Sequence, residues 1–160
     1  MTIKIGDTLP SGKFKTMGEA GPQEITTSQV FDGKRVLLFS VPGAFTPTCN
    51  AKHLPGYIAQ ADELKKHGID TIACVAVNDV FVMGAWGKAA GADGKVLMLA
   101  DGSADYARAL GLELDLTAAG MGIRGKRFAL VAKNGVVEQL HVEAPGEFKV
   151  SAADAVLCQL

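Results

Sequence analysis

One sulfur carries most of the chemistry this sequence offers. Cys49 ends the stretch Phe39-Ser-Val-Pro-Gly-Ala-Phe-Thr-Pro-Thr-Cys49, where an apolar strand pattern breaks into a proline- and glycine-rich loop and a helical pattern begins. A thiol in the first turn of a helix meets unpaired backbone N–H groups and the positive end of the helix dipole. Both favour the thiolate, the nucleophilic form. Thr46 stands three residues earlier, close enough in a tight loop for its hydroxyl to approach the sulfur as donor or acceptor. Pro42 and Pro47 stiffen the loop and lower the entropy cost of holding Thr46 and Cys49 together. A nearby cation would add to the effect. Arg124, Lys126 and Arg127 form the densest basic cluster of the second half, and any of them could fold beside the sulfur. Thr46 occupies the place where a dithiol oxidoreductase carries the first cysteine of Cys-x-x-Cys. Dithiol exchange at this site is therefore excluded. Oxidation of Cys49 to a sulfenic acid, reduced afterwards by another thiol, stays open.

The elements that must position Cys49 follow from the hydrophobic pattern. Arg35–Val41 is a nearly continuous apolar run, as expected of a strand covered on both faces. After the Cys49 loop, Leu54, Tyr57 or Ile58, Ala61 and Leu64 fall on one face of a long helix. Pro55 should kink that helix, and Gly68 should end it. Ile69–Val77 is a second buried strand. Asn78-Asp79 opens a helix through Phe81, Val82, Ala85, Trp86 and Ala89. Lys95–Leu99 is a third strand, and a helix from Ala104 to Leu110 follows the turn Asp101-Gly-Ser103. Leu112–Gly125 reads as a loop with three glycines. Lys126–Ala132 and Val136–Val142 are strands joined at Asn134-Gly135, a type I′ hairpin signal. Ser151 caps a last helix to Leu160. Ahead of all this, Lys13–Thr16 suggests a short hairpin, and Thr26 or Thr27 caps a short helix ending before Gly33. Strand–helix alternation followed by a hairpin predicts an α/β fold. Its central mixed β-sheet would be flanked by helices on both faces, compatible with a thioredoxin-like sandwich.

With 160 residues, 48% of them apolar, the chain suits a single domain spanning 1–160 with a full core. A net charge of −1, with acids and bases mixed, makes no electrostatic case for nucleic acid or an anionic membrane. No apolar run approaches a membrane span, and the N-terminus lacks the apolar region of a secretory signal. Three widely spaced cysteines do not form a disulfide framework. A reducing, cytoplasmic setting is the expectation.

Competing readings are weighed residue by residue. Cys74 lies mid-strand and reads as core; Cys158 lies near the end of the last helix and reads as a packing residue. His53, four residues after Cys49, shares its helical face, which raises a Cys–His dyad. Such histidines usually come from elsewhere in a fold, so His53 reads as a helix or interface residue. His53, His67 and His141 make no zinc spacing, and neither metal nor cofactor is implied. Gly120-Met-Gly122-Ile-Arg-Gly125 matches G-x-G-x-x-G but precedes a strand instead of opening a helix. It reads as a flexible loop that lets Arg124 and Arg127 approach the site. Trp86 and Phe81 read as core or subunit-contact residues.

The string Pro42-Gly-Ala-Phe-Thr46-Pro-Thr-Cys49, followed by Lys52-His-Leu-Pro-Gly56, resembles the Pro-x-x-x-Thr-x-x-Cys motif of the peroxiredoxins, nearest the type II or peroxiredoxin-five-like branch. The resemblance covers nearly the whole chain. It includes Val77-Asn-Asp79, Phe81-Val-Met83, Ala85-Trp86, Leu99-Ala-Asp-Gly-Ser103, Ala109-Leu-Gly-Leu-Glu-Leu-Asp115 and Lys126-Arg-Phe128. It implies a thioredoxin fold and a peroxidatic thiolate at Cys49. It also implies that Thr46 binds peroxide through its hydroxyl, Pro42 shields the sulfur from water, and Arg127 is the active-site arginine with Arg124 at most a support. The implied activity is reduction of hydrogen peroxide and small alkyl hydroperoxides through a Cys49 sulfenic acid. Some relatives carry a resolving cysteine shortly before the last helix. Glu143-Ala-Pro-Gly-Glu-Phe-Lys-Val150 has none, so the pattern resembles the one-cysteine mode, recycled by glutathione, glutaredoxin or thioredoxin. A homodimer with Phe45 near its contact is implied too. Two alternatives are a redox-sensing or chaperone-like binding protein switched by oxidation of Cys49, and a hydrolase dependent on His53. The enzyme requires an accessible sulfur with a guanidinium folded beside it.

Overall fold

The computed structural model describes residues 1–160. In chain order the elements are β1 (Lys13–Gly18), β2 (Gly21–Thr26), α1 (Thr27–Phe31), β3 (Arg35–Ser40), a π turn (Cys49–His53), α2 (Leu54–Ala59), α3 (Ala61–Lys66), β4 (Thr71–Ala76), α4 (Val80–Ala90), β5 (Leu97–Ala100), α5 (Asp105–Leu110), β6 (Glu113–Leu116), β7 (Gly122–Gly125), β8 (Phe128–Lys133), β9 (Val136–Val142) and α6 (Ala153–Leu157). Seven strands form one sheet in the order β2-β1-β5-β4-β3-β8-β9, and β6 pairs with β7 separately. β3, β4 and β5 are parallel, while β8 runs antiparallel to β3 and β9 antiparallel to β8. This is the mixed sheet the alternation predicts.

Successive residues of a strand point to opposite faces. Leu37 and Phe39 of β3 therefore pack with Leu54, Tyr57, Leu64, Trp86 and Val156, which places α2, α3, α4 and α6 on one face. Val36 and Leu38 pack with Phe31, Tyr106 and Leu110, which places α1 and α5 on the other. Local signals agree with the elements they start. Thr26 and Gln29 form a capping box on α1, and the Asp79 carboxylate accepts the Val82 N–H at 2.9 Å. Asn134 and Gly135 have φ of 49° and 79°, as a type I′ turn requires. No helix is long and apolar enough to cross a membrane.

Four expectations need correction. The long helix after Cys49 is a π turn followed by two short helices, α2 and α3. Pro55 sits directly after the π turn, in a run where the Leu54 N–H already bonds Cys49 O, so its missing N–H falls where the helical ladder changes from π to α. Leu112–Gly125 contains the β6–β7 hairpin, with Leu116 opposite Gly122 and Glu113 opposite Gly125. Its four-residue strands are too short for alternation to stand out. α4 buries Val80, Met83, Trp86 and Gly87, and leaves Phe81 64% exposed, because the Asp79 cap sets the phase of the helix. Ser151 does not cap α6; Ala152 holds that position without a side-chain bond, and the Ser151 hydroxyl bonds Glu143 instead.

Candidate active site

β3 delivers the chain to the site and then stops. The Val41 N–H donates to Val75 O at 3.2 Å, and Pro42 has no N–H to continue the ladder. The loop that follows is tied at several points. Ala44 N–H donates to Asn78 Oδ1 at 2.9 Å. A Cβ on Gly43 would lie 3.0 Å from both Arg124 Nη1 and Thr46 Cγ2, so a larger residue would push these side chains aside by a few tenths of an ångström. Phe45 is held at φ 60°, a left-handed conformation that an aromatic residue adopts only under constraint from its surroundings. The Trp86 indole N–H donates to Asn50 Oδ1 at 2.9 Å and pins the turn that starts at Cys49 to α4.

That turn is of π type. Leu54 N–H reaches back five residues to Cys49 O. π turns occur mostly as single insertions and often at functional sites. Here the wider turn leaves Cys49 and His53 side by side at the ends of the segment. Arg127, directly before β8, spans both. Its Nη2 donates to Cys49 Sγ at 3.1 Å, and its Nη1 donates to His53 Nδ1 at 2.8 Å. The guanidinium carbon also lies 5.8 Å from the centroid of the Phe148 ring. A permanently charged fork, fixed at two donors and one face, gives a thiolate at Cys49 a charge-assisted partner.

The four residues expected at the site are placed as follows. Cys49 and Arg127 are in contact. Thr46 Oγ1 donates to Gly43 O at 2.6 Å, not to the sulfur. Its proton is thereby committed and its lone pairs are left as acceptors. Pro42 lines a cavity of about 180 Å³ with Thr48, Lys126, Arg127 and the loop from Glu143 to Glu147. Arg124 bonds the loop and not the sulfur, with Nη1 on Pro42 O at 3.2 Å and Nε on Met121 O at 2.9 Å. A larger cavity of about 640 Å³ lies along β1, α4 and β5, and none of these residues lines it. One expectation fails: the sulfur is not open to solvent. Cys49 is 0% exposed and does not line the Pro42–Arg127 cavity.

His53, expected as a helix or interface residue, closes the π turn and is buried between Arg127 and the C-terminal segment, with Nε2 3.0 Å from Ser151 O. Burial, with Arg127 adding to it, lowers its pKa from the ordinary 6.5 to about 3. The imidazole is therefore neutral at physiological pH. Its i+4 relation to Cys49 was visible, but that spacing pointed to a bond with the sulfur, not to a shared arginine. Cys74 is buried in the sheet. Burial pushes its thiol well up, and the neighbouring Cys49 adds to the shift. Cys158 is exposed at the end of α6, which corrects the packing role expected for it.

A depressed histidine pKa carries a stability prediction. Below pH 6.5 the unfolded chain takes up a proton that folded His53 refuses. This contribution is fully present above 6.5 and is lost as pH falls toward about 3. The slope is about 1.4 kcal/mol per pH unit. Urea unfolding between pH 4 and 8 should show this slope in the wild type and a flatter one in His53→Leu. Equal slopes would remove the neutral, buried histidine.

The geometry thus pairs a buried sulfur with a fixed guanidinium. The sequence profile of the Redoxin family matches residues 4–157. Peroxiredoxin-2C of Arabidopsis thaliana is 49% identical over 97% of this chain and 96% of its own length. The crystal structure of reduced Prx3 from Vibrio vulnificus in complex with hydrogen peroxide is 50% identical, covers 99% of both chains and superposes with a TM-score of 0.95. The 1-Cys peroxiredoxin of Plasmodium falciparum is 28% identical over 96% of both chains, with a TM-score of 0.87. The mixed sheet is accordingly the thioredoxin-like fold of that family. A lone cysteine in a Pro-x-x-x-Thr-x-x-Cys loop, on this fold and at this level of identity, leaves one conclusion: the chain belongs to the type II peroxiredoxins and is a thiol-dependent peroxidase.

Proposed function

We propose that Cys49 is the peroxidatic residue and that Arg127, Thr46 and Pro42 complete its catalytic site. The observation that carries this reading is the 3.1 Å contact between Arg127 Nη2 and the buried Cys49 Sγ. The thiolate attacks the terminal oxygen of the hydroperoxide in line with the O–O bond. An S–O bond forms and the O–O bond breaks. Sulfur loses two electrons to the peroxide, and the departing oxygen takes a proton to become water or an alcohol. Thr46 Oγ1 accepts a hydrogen bond from the peroxide O–H, while the Arg127 fork stabilises charge on the departing oxygen. Low-dielectric surroundings make such fixed donors worth several kcal/mol, about 3 for one donor. Pro42 walls the sulfur from bulk water. Because Cys49 is 0% exposed, this reading requires the loop between Pro42 and Thr48 to open before a hydroperoxide reaches Sγ.

Recycling runs in the one-cysteine mode. One reductant thiol attacks the Cys49 sulfenic acid and releases water, forming a mixed disulfide. A second thiol breaks that disulfide and returns the thiolate. Glutathione or glutaredoxin is the favoured donor and thioredoxin the alternative. Two features support this mode. Cys74 is enclosed in the sheet, and the segment 143–150, which turns back onto the site, holds no cysteine. The name of the Plasmodium relative is of the same kind. Residues 1–160 act as one catalytic domain in the cytoplasm. The chain pairs as a homodimer through the face that leaves Phe45 51% exposed and Phe81 64% exposed.

Intact mass of peroxide-treated protein tests this reading. With peroxide alone, one added oxygen is expected. With glutathione as well, a single glutathione adduct is expected, and then return to the starting mass as turnover continues. A loss of two hydrogens would mean an internal disulfide and a two-cysteine cycle. One oxidation without further turnover, with every thiol donor tried, would favour a redox switch.

A further inference from the structure

Glu143 follows β9 and faces Arg127 across the β8–β9 pair, its backbone N–H donating to Arg127 O at 2.9 Å. Its side chain turns inward, where no lysine or arginine pairs with it. Instead Oε2 accepts three hydrogen bonds from the segment that comes back over the site: Lys149 N–H at 2.7 Å, Ser151 N–H at 2.8 Å and Ser151 Oγ at 2.6 Å. Burial opposes the charge, and these donors outweigh it, so the carboxyl is held below its ordinary range. A nearly buried carboxylate satisfied in this way fixes the backbone it gathers.

What it fixes is the far end of the catalytic contact. Ser151 O accepts from Tyr57 Oη at 2.6 Å and from His53 Nε2 at 3.0 Å. The Phe148 ring stands edge-on to His53 with centroids 5.0 Å apart. Below, Phe39 stacks on Tyr57 at 4.1 Å, so the floor of this arrangement belongs to β3. A carbonyl only accepts, so His53 Nε2 must carry the ring proton. A guanidinium only donates, so His53 Nδ1 must carry none. One tautomer meets both demands. If Ser151 O moved, the proton could shift to Nδ1, and an N–H would then face the N–H of Arg127.

We infer that Glu143 is a remote positioning residue for the peroxide reaction: by clamping Lys149–Ser151 it fixes the Ser151 carbonyl, hence the His53 tautomer, hence the aim of Arg127 at Cys49. This rests on the roles proposed above for Cys49 and Arg127. Glu143 touches no substrate; it acts through two residues.

The test joins two measurements on the reduced, full-length protein. Nitrogen NMR of the imidazole reports the tautomer, and single-turnover oxidation by hydrogen peroxide reports the rate. Wild-type His53 should be a single Nε2–H tautomer. Glu143→Ala should mix the tautomers and slow Cys49 oxidation roughly 10- to 100-fold, taking as the scale what loss of the partners behind metal ligands costs. Glu143→Gln should fall between, since an amide oxygen still accepts but carries no charge. In a His53→Asn background, Glu143→Ala should add little, because both changes act through one link. A wild-type tautomer with Nδ1 protonated overturns the inference. So does a folded Glu143→Ala or Glu143→Gln protein that loses thermal stability and oxidises at the wild-type rate. If Glu143→Ala does not fold, Glu143→Gln and Ser151→Ala decide the rate. Failure of wild-type Cys49 to react with peroxide would instead sink the underlying assignment, a result the tautomer measurement does not mimic.

Discussion

Cys49→Ser should reduce peroxide consumption to the uncatalysed background, a loss of more than about 1000-fold, since a serine hydroxyl is a weak nucleophile without a base to activate it. No such base is present: the one imidazole nearby gives its lone pair to Arg127 and its proton to Ser151 O. The comparison with the other two thiols gives the experiment its force. Cys74→Ser should keep turnover within about twofold but cost about 1–3 kcal/mol, because it places a hydroxyl among apolar neighbours at the centre of the sheet. Cys158→Ser, at an exposed position, should change stability by less than about 0.5 kcal/mol and leave turnover intact. Peroxide turnover with an added thiol, followed beside denaturant titration, separates these outcomes. A Cys158→Ser protein that oxidises once and then stalls would make Cys158 the resolving thiol and end the one-cysteine reading.

Most of the frame was legible because its signals are local. Arg35–Val41 and Ile69–Val77 read as buried strands from their apolar runs and hold β3 (Arg35–Ser40) and β4 (Thr71–Ala76), and Asn134-Gly135 announced its hairpin through residue types that tolerate positive φ. Cys49 and Thr46 were legible as a spacing within one loop. Arg127 was assigned by resemblance to the residue before Phe128, and the structure brings that residue to the sulfur. What escaped depends on distant parts of the chain. His53 gains its place from Ser151, 98 residues later, and no periodicity records that bond. Ser151 has the residue type of a helix cap, yet its hydroxyl serves Glu143, a competition that only the folded chain decides. The π turn is a similar case. An apolar period near that of an α-helix continues through it, and the departure shows only in the bond from Leu54 to Cys49.

Arg124 lies in β7 and Arg127 three residues later, directly before β8, so exchanging each for glutamine is a direct comparison of aim. Arg127→Gln removes the charge facing Cys49 Sγ and the donor on His53. If one fixed donor to the departing oxygen contributes about 3 kcal/mol, the oxidation rate should fall by about 100-fold or more. Arg127→Lys should recover part of that loss, since an ammonium restores the charge but cannot reach the sulfur and His53 with one planar fork. Arg124→Gln removes hydrogen bonds to Pro42 O and Met121 O, which brace the loop against the hairpin. These bonds, about 0.5–1.5 kcal/mol each, meet no reacting atom and are made before and during the reaction alike, so only a part of their loss reaches the barrier and the rate should fall by no more than about tenfold. Stopped-flow oxidation of the reduced proteins by hydrogen peroxide ranks the variants without involving any reductant. The reverse order, with Arg124→Gln the slower, would mean that the loop and not the guanidinium at the sulfur governs the barrier. In that case the contact at 3.1 Å would be a feature of the resting site only.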